Sequence, residues 1–214
     1  MHISEGVLSA PVLITGTALS ASGVAIGLKK IDYAKIPEVA VLSSAFFVAS
    51  LIHVPLGPSN VHLTLNGLVG VLLGWMAFPS ILVALTLQAL LFQFGGLTIL
   101  GVNTFNMAAP AVLSYYLFNF LIRKNNHFAS VAAGFSAGVL GVGGGALLTA
   151  VSLVSTGEQF LTVAKLLFLA HIPIMVIEGI ITAFCILFLK KVKPEILEVG
   201  QCKLSRLINQ NQYL

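Results

Sequence analysis

Residues 163–189 read VAKLLFLAHIPIMVIEGIITAFCILFL. Only Lys165, His171 and Glu178 interrupt this run with groups that carry charge near neutral pH. As a helix it spans about 40 Å at ~1.5 Å per residue, more than the ~30 Å hydrocarbon core of a bilayer. Similar runs recur along the chain. Of its 214 residues, 57% are hydrophobic and 8% are charged, against about 25% charged in soluble domains. Mean hydropathy is +1.01. The sequence therefore predicts an all-α integral membrane protein, with one transmembrane bundle over residues 1–190 and a short basic cytoplasmic tail over 191–214.

Several function classes fall away at this level. No G-x-x-x-x-G-K-[ST] loop is present, and no soluble segment is large enough for a nucleotide site or a separate catalytic domain. The formal net charge of +4 is read as a topology signal, not as a nucleic-acid footprint. Cys185 and Cys202 have no metal-type spacing and predict no structural disulfide. The opening "MHISEG" has no basic n-region, so no cleaved signal peptide is expected. His2 is not small, so the initiator methionine is expected to stay.

Hydropathy predicts seven helices: Val7–Leu28, Val39–His53, Val61–Phe78, Ser80–Phe94, Met107–Ile122, Phe128–Val154 and Val163–Leu189. With seven spans, Lys29, Lys30, Lys35, Arg123, Lys124, Lys190, Lys191, Lys193, Lys203 and Arg206 share one side. Only Lys165 lies opposite. The positive-inside rule makes the basic side cytoplasmic. The N-terminus is then outside, with "HVPLGPSNVH" (53–62) and "GGLTILGVNTFN" (95–106), and the C-terminus is cytoplasmic. His2, His53 and His62 share the outer side.

Two small-residue faces stand out. Gly134, Gly138, Gly141 and Gly145 lie on one face of the sixth helix, where they permit close packing. "GVGGG" lies inside a span and follows no strand, so it is not read as a phosphate loop. Ala18, Ala21, Ser22 and Ala25 form a similar face on the first helix, suited to packing within the bundle or against a second protein.

The histidines divide by setting. His127 lies in a polar cytoplasmic loop and is read as solvated. His171 and Glu178, two turns apart, fall on one helix face. They predict a hydrogen-bonded structural pair or, in an alternative reading, the site of an autonomous proton-coupled transporter or channel. An intramembrane metalloenzyme lacks an H-E-x-x-H pair, and no enzyme activity is expected.

His2 has a further option. The terminal amine, the residue-2 amide nitrogen and the imidazole Nδ1 can close a five- and a six-membered chelate ring. That set leaves one corner of a plane open, a geometry suited to Ni(II) and Cu(II); the other reading is an accidental exposed residue. In the outer turn, Pro55 and Pro58 fix φ and Gly57 adds conformational freedom. His62 opens the third helix, placed to turn inward. His53 is read as a ligand, a residue behind the ligands, or an interfacial side chain.

"MHISEG" (1–6), "PLGPSNVHLTLNGLVGVLLG" (55–74), "LLFQFGGLTILGVNTFNMA" (90–108) and "AHIPIMVIEGIITAF" (170–184) together resemble the CbiM/NikM family. Its members are the substrate-binding membrane components of energy-coupling-factor transporters for cobalt and nickel. The resemblance implies seven helices and an N-terminus inserted into an outward-facing pocket. It also implies a Co2+ or Ni2+ cargo held by the amine of Met1, the amide and imidazole of His2, and a later histidine that falls on His62. No ligand role carries over to His53. Asn103, in the segment resembling the family's loop around the metal, is expected to orient an imidazole by a hydrogen bond. The implied partners are a transmembrane coupling subunit, cytoplasmic ATPases and a small auxiliary membrane subunit, in the inner membrane of a prokaryote. Nothing in the residues separates cobalt from nickel.

Overall fold

The computed structural model describes residues 1–56, 59–124 and 126–197. The expectations placed on Gly57, Pro58, Cys202, Lys203 and Arg206 lie outside these residues. The described chain forms α1 (Ala10–Lys29), α2 (Ile36–Ala49), β1 (His53–Leu56), β2 (Ser59–His62), α3 (Asn66–Leu73), α4 (Ala77–Phe92), α5 (Leu100–Arg123), α6 (His127–Val154) and α7 (Leu161–Val192). Short 3-10 turns precede α2, α4 and α7. Local sequence explains several starts. Pro11 and Pro37 occupy the first turns of α1 and α2, where a missing N–H costs nothing. The Asn126 side chain accepts the Ala129 amide at 3.2 Å and caps α6.

The first correction concerns residues 53–62. The second helix stops at Ala49 and does not reach His53, and the third does not begin at Val61. An antiparallel hairpin lies between them, with His53 opposite His62 and Val54 opposite Val61. Pro55 disfavours helical backbone at Val54, and β-branched valines facing each other suit a sheet. His62 therefore ends a strand. A second correction concerns "GGLTILGVNTFN". Only Gly95 and Gly96 carry positive φ, at 75° and 134°, and α5 begins at Leu100, so Asn103 is helical.

Among the described residues, five stretches are long and apolar enough to cross a membrane: Ala10–Lys29, Asn66–Phe92, Leu100–Arg123, His127–Val154 and Glu158–Val192. The second of these turns back on itself. Gly70 packs on Ala111 and Gly74 on Tyr115, so α3 runs beside α5 in the same direction. Ser43 bonds Ser80, and Gln88 donates to Ser50, so α4 runs with α2. The reversal occurs at Gly74, whose φ of 56° favours glycine.

α3 is the centre of the bundle, with all eight residues buried. Its glycines replace side-chain contacts with backbone ones: Gly67 lies on Ala137 and Gly138, and Gly141 of α6 lies on Gly67. The small-residue face of α6 thus packs inward, with Gly134 on Ala183, Gly138 on Glu178 and Gly179, and Gly145 on the Met1 thioether. The face expected on α1 differs. Ala18, Ala21, Ser22 and Ala25 are exposed, and the packed face is Gly16, Ser20, Gly23 and Gly27.

Candidate metal centre

The N-terminal residues are inserted where α5, α6 and the hairpin meet. Met1 and Ile3 have no exposure, and His2 and His62 retain 2% each. A terminus normally frays because nothing satisfies its backbone; this one is pinned repeatedly. Ile3 bridges to Ser59 of β2. The Ile3 amide donates to Asn103 Oδ1 at 3.1 Å, and Asn103 Nδ2 donates to the Ile3 carbonyl at 3.3 Å. The Glu5 amide donates to the Gly95 carbonyl at 3.1 Å. Glu5 Oε1 accepts from the Thr98 amide and hydroxyl at 3.0 and 3.1 Å, and the Ser9 amide donates to Thr156 at 3.3 Å.

This anchoring brings two histidines together. The His2 and His62 rings stack with centroids 4.6 Å apart and planes 24° from parallel. His62 Nδ1 lies 2.9 Å from the Leu63 carbonyl. A carbonyl only accepts, so Nδ1 carries the proton and Nε2 keeps its lone pair. That Nε2 is buried and makes no hydrogen bond among the described residues. Burial, with repulsion from the terminal amine, His2 and His171, holds the His62 imidazole well below its usual 6.5. Burial likewise drives the Met1 amine well below its usual 8.0, opposed by the Glu178 carboxylate. Burial thus favours the neutral form of both groups, the form a metal requires.

The remaining expected residues occupy distinct positions. His53 is half-buried and packs edge-on against Phe94, with centroids 4.3 Å apart, while its Nδ1 bonds the Leu51 carbonyl at 3.1 Å. Phe94 also faces His2 at 6.5 Å. Asn103 engages the backbone of Ile3, so what it holds is the inserted strand beside His2. His171 and Glu178 do not form the expected hydrogen-bonded pair. Seven residues separate them by about 10 Å along the helix. His171 Nδ1 bonds the Leu167 carbonyl at 2.7 Å, and Glu178 bonds Thr64 and Leu65. His127 is exposed, at the start of α6. Sequence reasoning assigned no role to Ile3, Glu5 or Thr98. The Gly95-Gly96 pair was their one signal, since the terminal strand meets the chain there.

Among the described residues, no three His, Cys, Asp or Glu side chains gather as a metal cluster. A metal held here must draw on backbone nitrogen as well as imidazole. The nitrogens gathered there are the buried terminal amine, the amide and ring of His2, and Nε2 of His62.

Fold and site together define a multi-pass helical membrane protein whose N-terminal residues are buried in a nitrogen-rich cluster. The chain belongs to the CbiM family, described as the cobalt uptake substrate-specific transmembrane region, which matches residues 2–196. A Haemophilus influenzae protein named for metal transport is 43% identical over 199 residues, covering 92% of this chain and 97% of that one. An Archaeoglobus fulgidus protein named as a fused nickel transport protein, NikMN, is 27% identical, covering 92% of this chain and 68% of that one. A crystal structure of a transition metal transporter superposes with a TM-score of 0.74 at 28% identity, covering 90% of this chain and 93% of that chain.

Proposed function

We propose that the chain is the ion-capturing membrane subunit of an importer for divalent cobalt or nickel, powered by ATP hydrolysed in separate subunits. One observation carries this reading: the buried Met1-His2 terminus lies against His62, whose Nε2 has no other partner. The amine of Met1, the amide nitrogen and Nδ1 of His2, and Nε2 of His62 make four nitrogen donors. With metal–nitrogen bonds of about 2.0 Å, two imidazoles at adjacent corners have centroids roughly 4.5 Å apart, close to the spacing already present. A planar nitrogen set suits Ni(II), while the family description names cobalt. Competition of Ni(II) with Co(II) on the purified chain decides the preference.

The pocket sheds the ion's water and shields it from lipid, which suits capture and delivery more than free permeation. Release then depends on partners that deform or reorient the bundle. The exposed Ala18, Ala21, Ser22 and Ala25 on α1, with Lys29, Lys30 and Lys35 beyond it, are the surface we assign to the coupling subunit. The N-terminus faces outward and the C-terminus the cytoplasm, in the plasma membrane of a prokaryote.

Titration of two variants tests the site. His62→Ala is expected to lose most affinity for Ni(II) and Co(II), and His127→Ala none. Unchanged affinity in the His62 variant removes that residue from the site. Orientation is tested in a chain with Cys185 and Cys202 replaced. Gln159→Cys is expected to react with an impermeant thiol reagent in whole cells, and Lys124→Cys is not; the reverse pattern overturns the outward-facing pocket.

A further inference from the structure

Glu178 is fully buried near the middle of α7, and among the described residues it is the one buried carboxylate. Its Oε1 accepts from the Thr64 amide, from the Thr64 hydroxyl at 3.1 Å and from the Leu65 amide at 2.8 Å. These donors open the N-terminal end of α3, where a carboxylate complements the helix dipole. They also lie immediately after His62. Leu65 sits there at φ 53°, a conformation that a leucine keeps only where surroundings enforce it. Its other oxygen, Oε2, is buried without a hydrogen-bond partner among the described residues.

A charge count gives that oxygen a use. A divalent ion held by a neutral amine, two neutral imidazoles and one deprotonated amide leaves the pocket with one net positive charge. An uncompensated charge at membrane depth is costly, and ionisable groups there are paired. We propose that Glu178 is a positioning residue for ion capture: Oε1 fixes the β2–α3 junction that aims His62, and its negative charge neutralises the loaded pocket. This inference rests on the ligand reading above and adds to it a residue that touches no ligand ring.

The test uses the full-length chain with its native N-terminus, titrated with Ni(II). Glu178→Gln keeps an acceptor oxygen for Thr64 and Leu65 and removes the charge. It is expected to bind about ten- to a hundredfold more weakly, while the saturated protein keeps the parent's visible Ni(II) spectrum. Glu178→Asp keeps the charge and is expected to recover part of the loss. Affinity within threefold of the parent in Glu178→Gln, or no recovery in Glu178→Asp, overturns the charge role. If Glu178→Gln does not fold, infrared difference spectra of the parent decide it. Ni(II) is expected to shift a buried carboxylate stretch and to leave no buried carboxylic-acid band; an unshifted stretch, or an acid band in the loaded state, overturns it. His2→Ala separates the two levels. If it binds like the parent, the ligand reading falls and this inference with it. If it loses binding while Glu178→Gln retains it, only the role of Glu178 falls.

Discussion

His2 and His127 are the same side chain at two ends of the molecule. His2 stands in a segment that chain position alone would leave frayed, yet it is buried, and residues on both sides are tied to other elements. His127 begins a long helix, a more regular setting, and lies exposed. The comparison shows that secondary structure is no guide to burial here. What matters is whether the backbone around a polar group has been taken out of water and satisfied. A buried imidazole with a fixed tautomer, as at His62 beside it, holds a lone pair away from water; an exposed one meets solvent.

The largest effect that sharpens this contrast comes from lengthening each segment by one residue. Leu inserted between Met1 and His2 moves the histidine to position 3. The amine, two amides and the imidazole can then fill four planar corners without His62. The isolated N-terminal peptide is expected to bind Ni(II) still, while uptake by the assembled transporter falls to background. Leu inserted between Lys124 and the next residue is expected to leave uptake within about twofold, because that end is exposed and tolerant. Normal transport by the first insertion would show that the terminal amine is not a ligand and that the two ends do not differ as argued.

A smaller effect separates the pinning from the ligands. Asn103→Ala leaves the Ile3 amide and carbonyl buried without partners, at a cost of about 1–3 kcal/mol for such a group. Thermal stability is expected to drop by several degrees, and Ni(II) affinity by about tenfold as the terminus loosens. Asn103→Asp keeps the acceptor for the Ile3 amide and loses the donor to its carbonyl, so it is expected to fall between. If both variants bind ions as tightly as the parent, the terminus is held by the hairpin and by the packing of Met1 on Gly145.

Hydropathy makes the bundle legible because it measures what lipid requires. The long runs read as helices over Phe128–Val154 and Val163–Leu189 are helices in the structure, over His127–Val154 and Leu161–Val192. The same measure hides the hairpin. "VHLTLNGLVGVLLG" is polar only at His62, Thr64 and Asn66, and a mean hydropathy does not separate a buried strand followed by a buried helix from one continuous helix. Pro55 carried the missing information, since it disfavours helix at the residue before it. Proximity of His2 to His62 was legible from their shared side of the membrane. The Asn103 clamp was not, because no sequence pattern states that a side chain will serve the backbone of residue 3. His171 and Glu178 misled for the converse reason. Spacing on one face permits a pair, but each found a nearer backbone partner, on its own helix for His171 and across the bundle for Glu178.

The smallest expected effect lies at the rim of the inserted segment. Glu5 is exposed, and hydrogen bonds from Thr98, backbone first and then hydroxyl, hold its carboxyl below the usual 4.5. A depressed carboxylate stabilises the folded arrangement fully above its unfolded value and loses that contribution as pH falls through the folded value. The Glu5–Thr98 contact is therefore expected to be intact near neutral pH and to open only in acid. Hydrogen exchange at the Thr98 amide, corrected for the intrinsic pH dependence, reads this directly: protection should be flat through the neutral range and fall below about pH 4.5. Solvent screens a carboxylate in this position, so Glu5→Gln, which keeps the acceptor oxygen, should change Ni(II) affinity near pH 7 by less than about twofold. A loss as large as that of Asn103→Ala would place the hold on the N-terminus in a rim charge, and burial would no longer be what distinguishes His2 from His127.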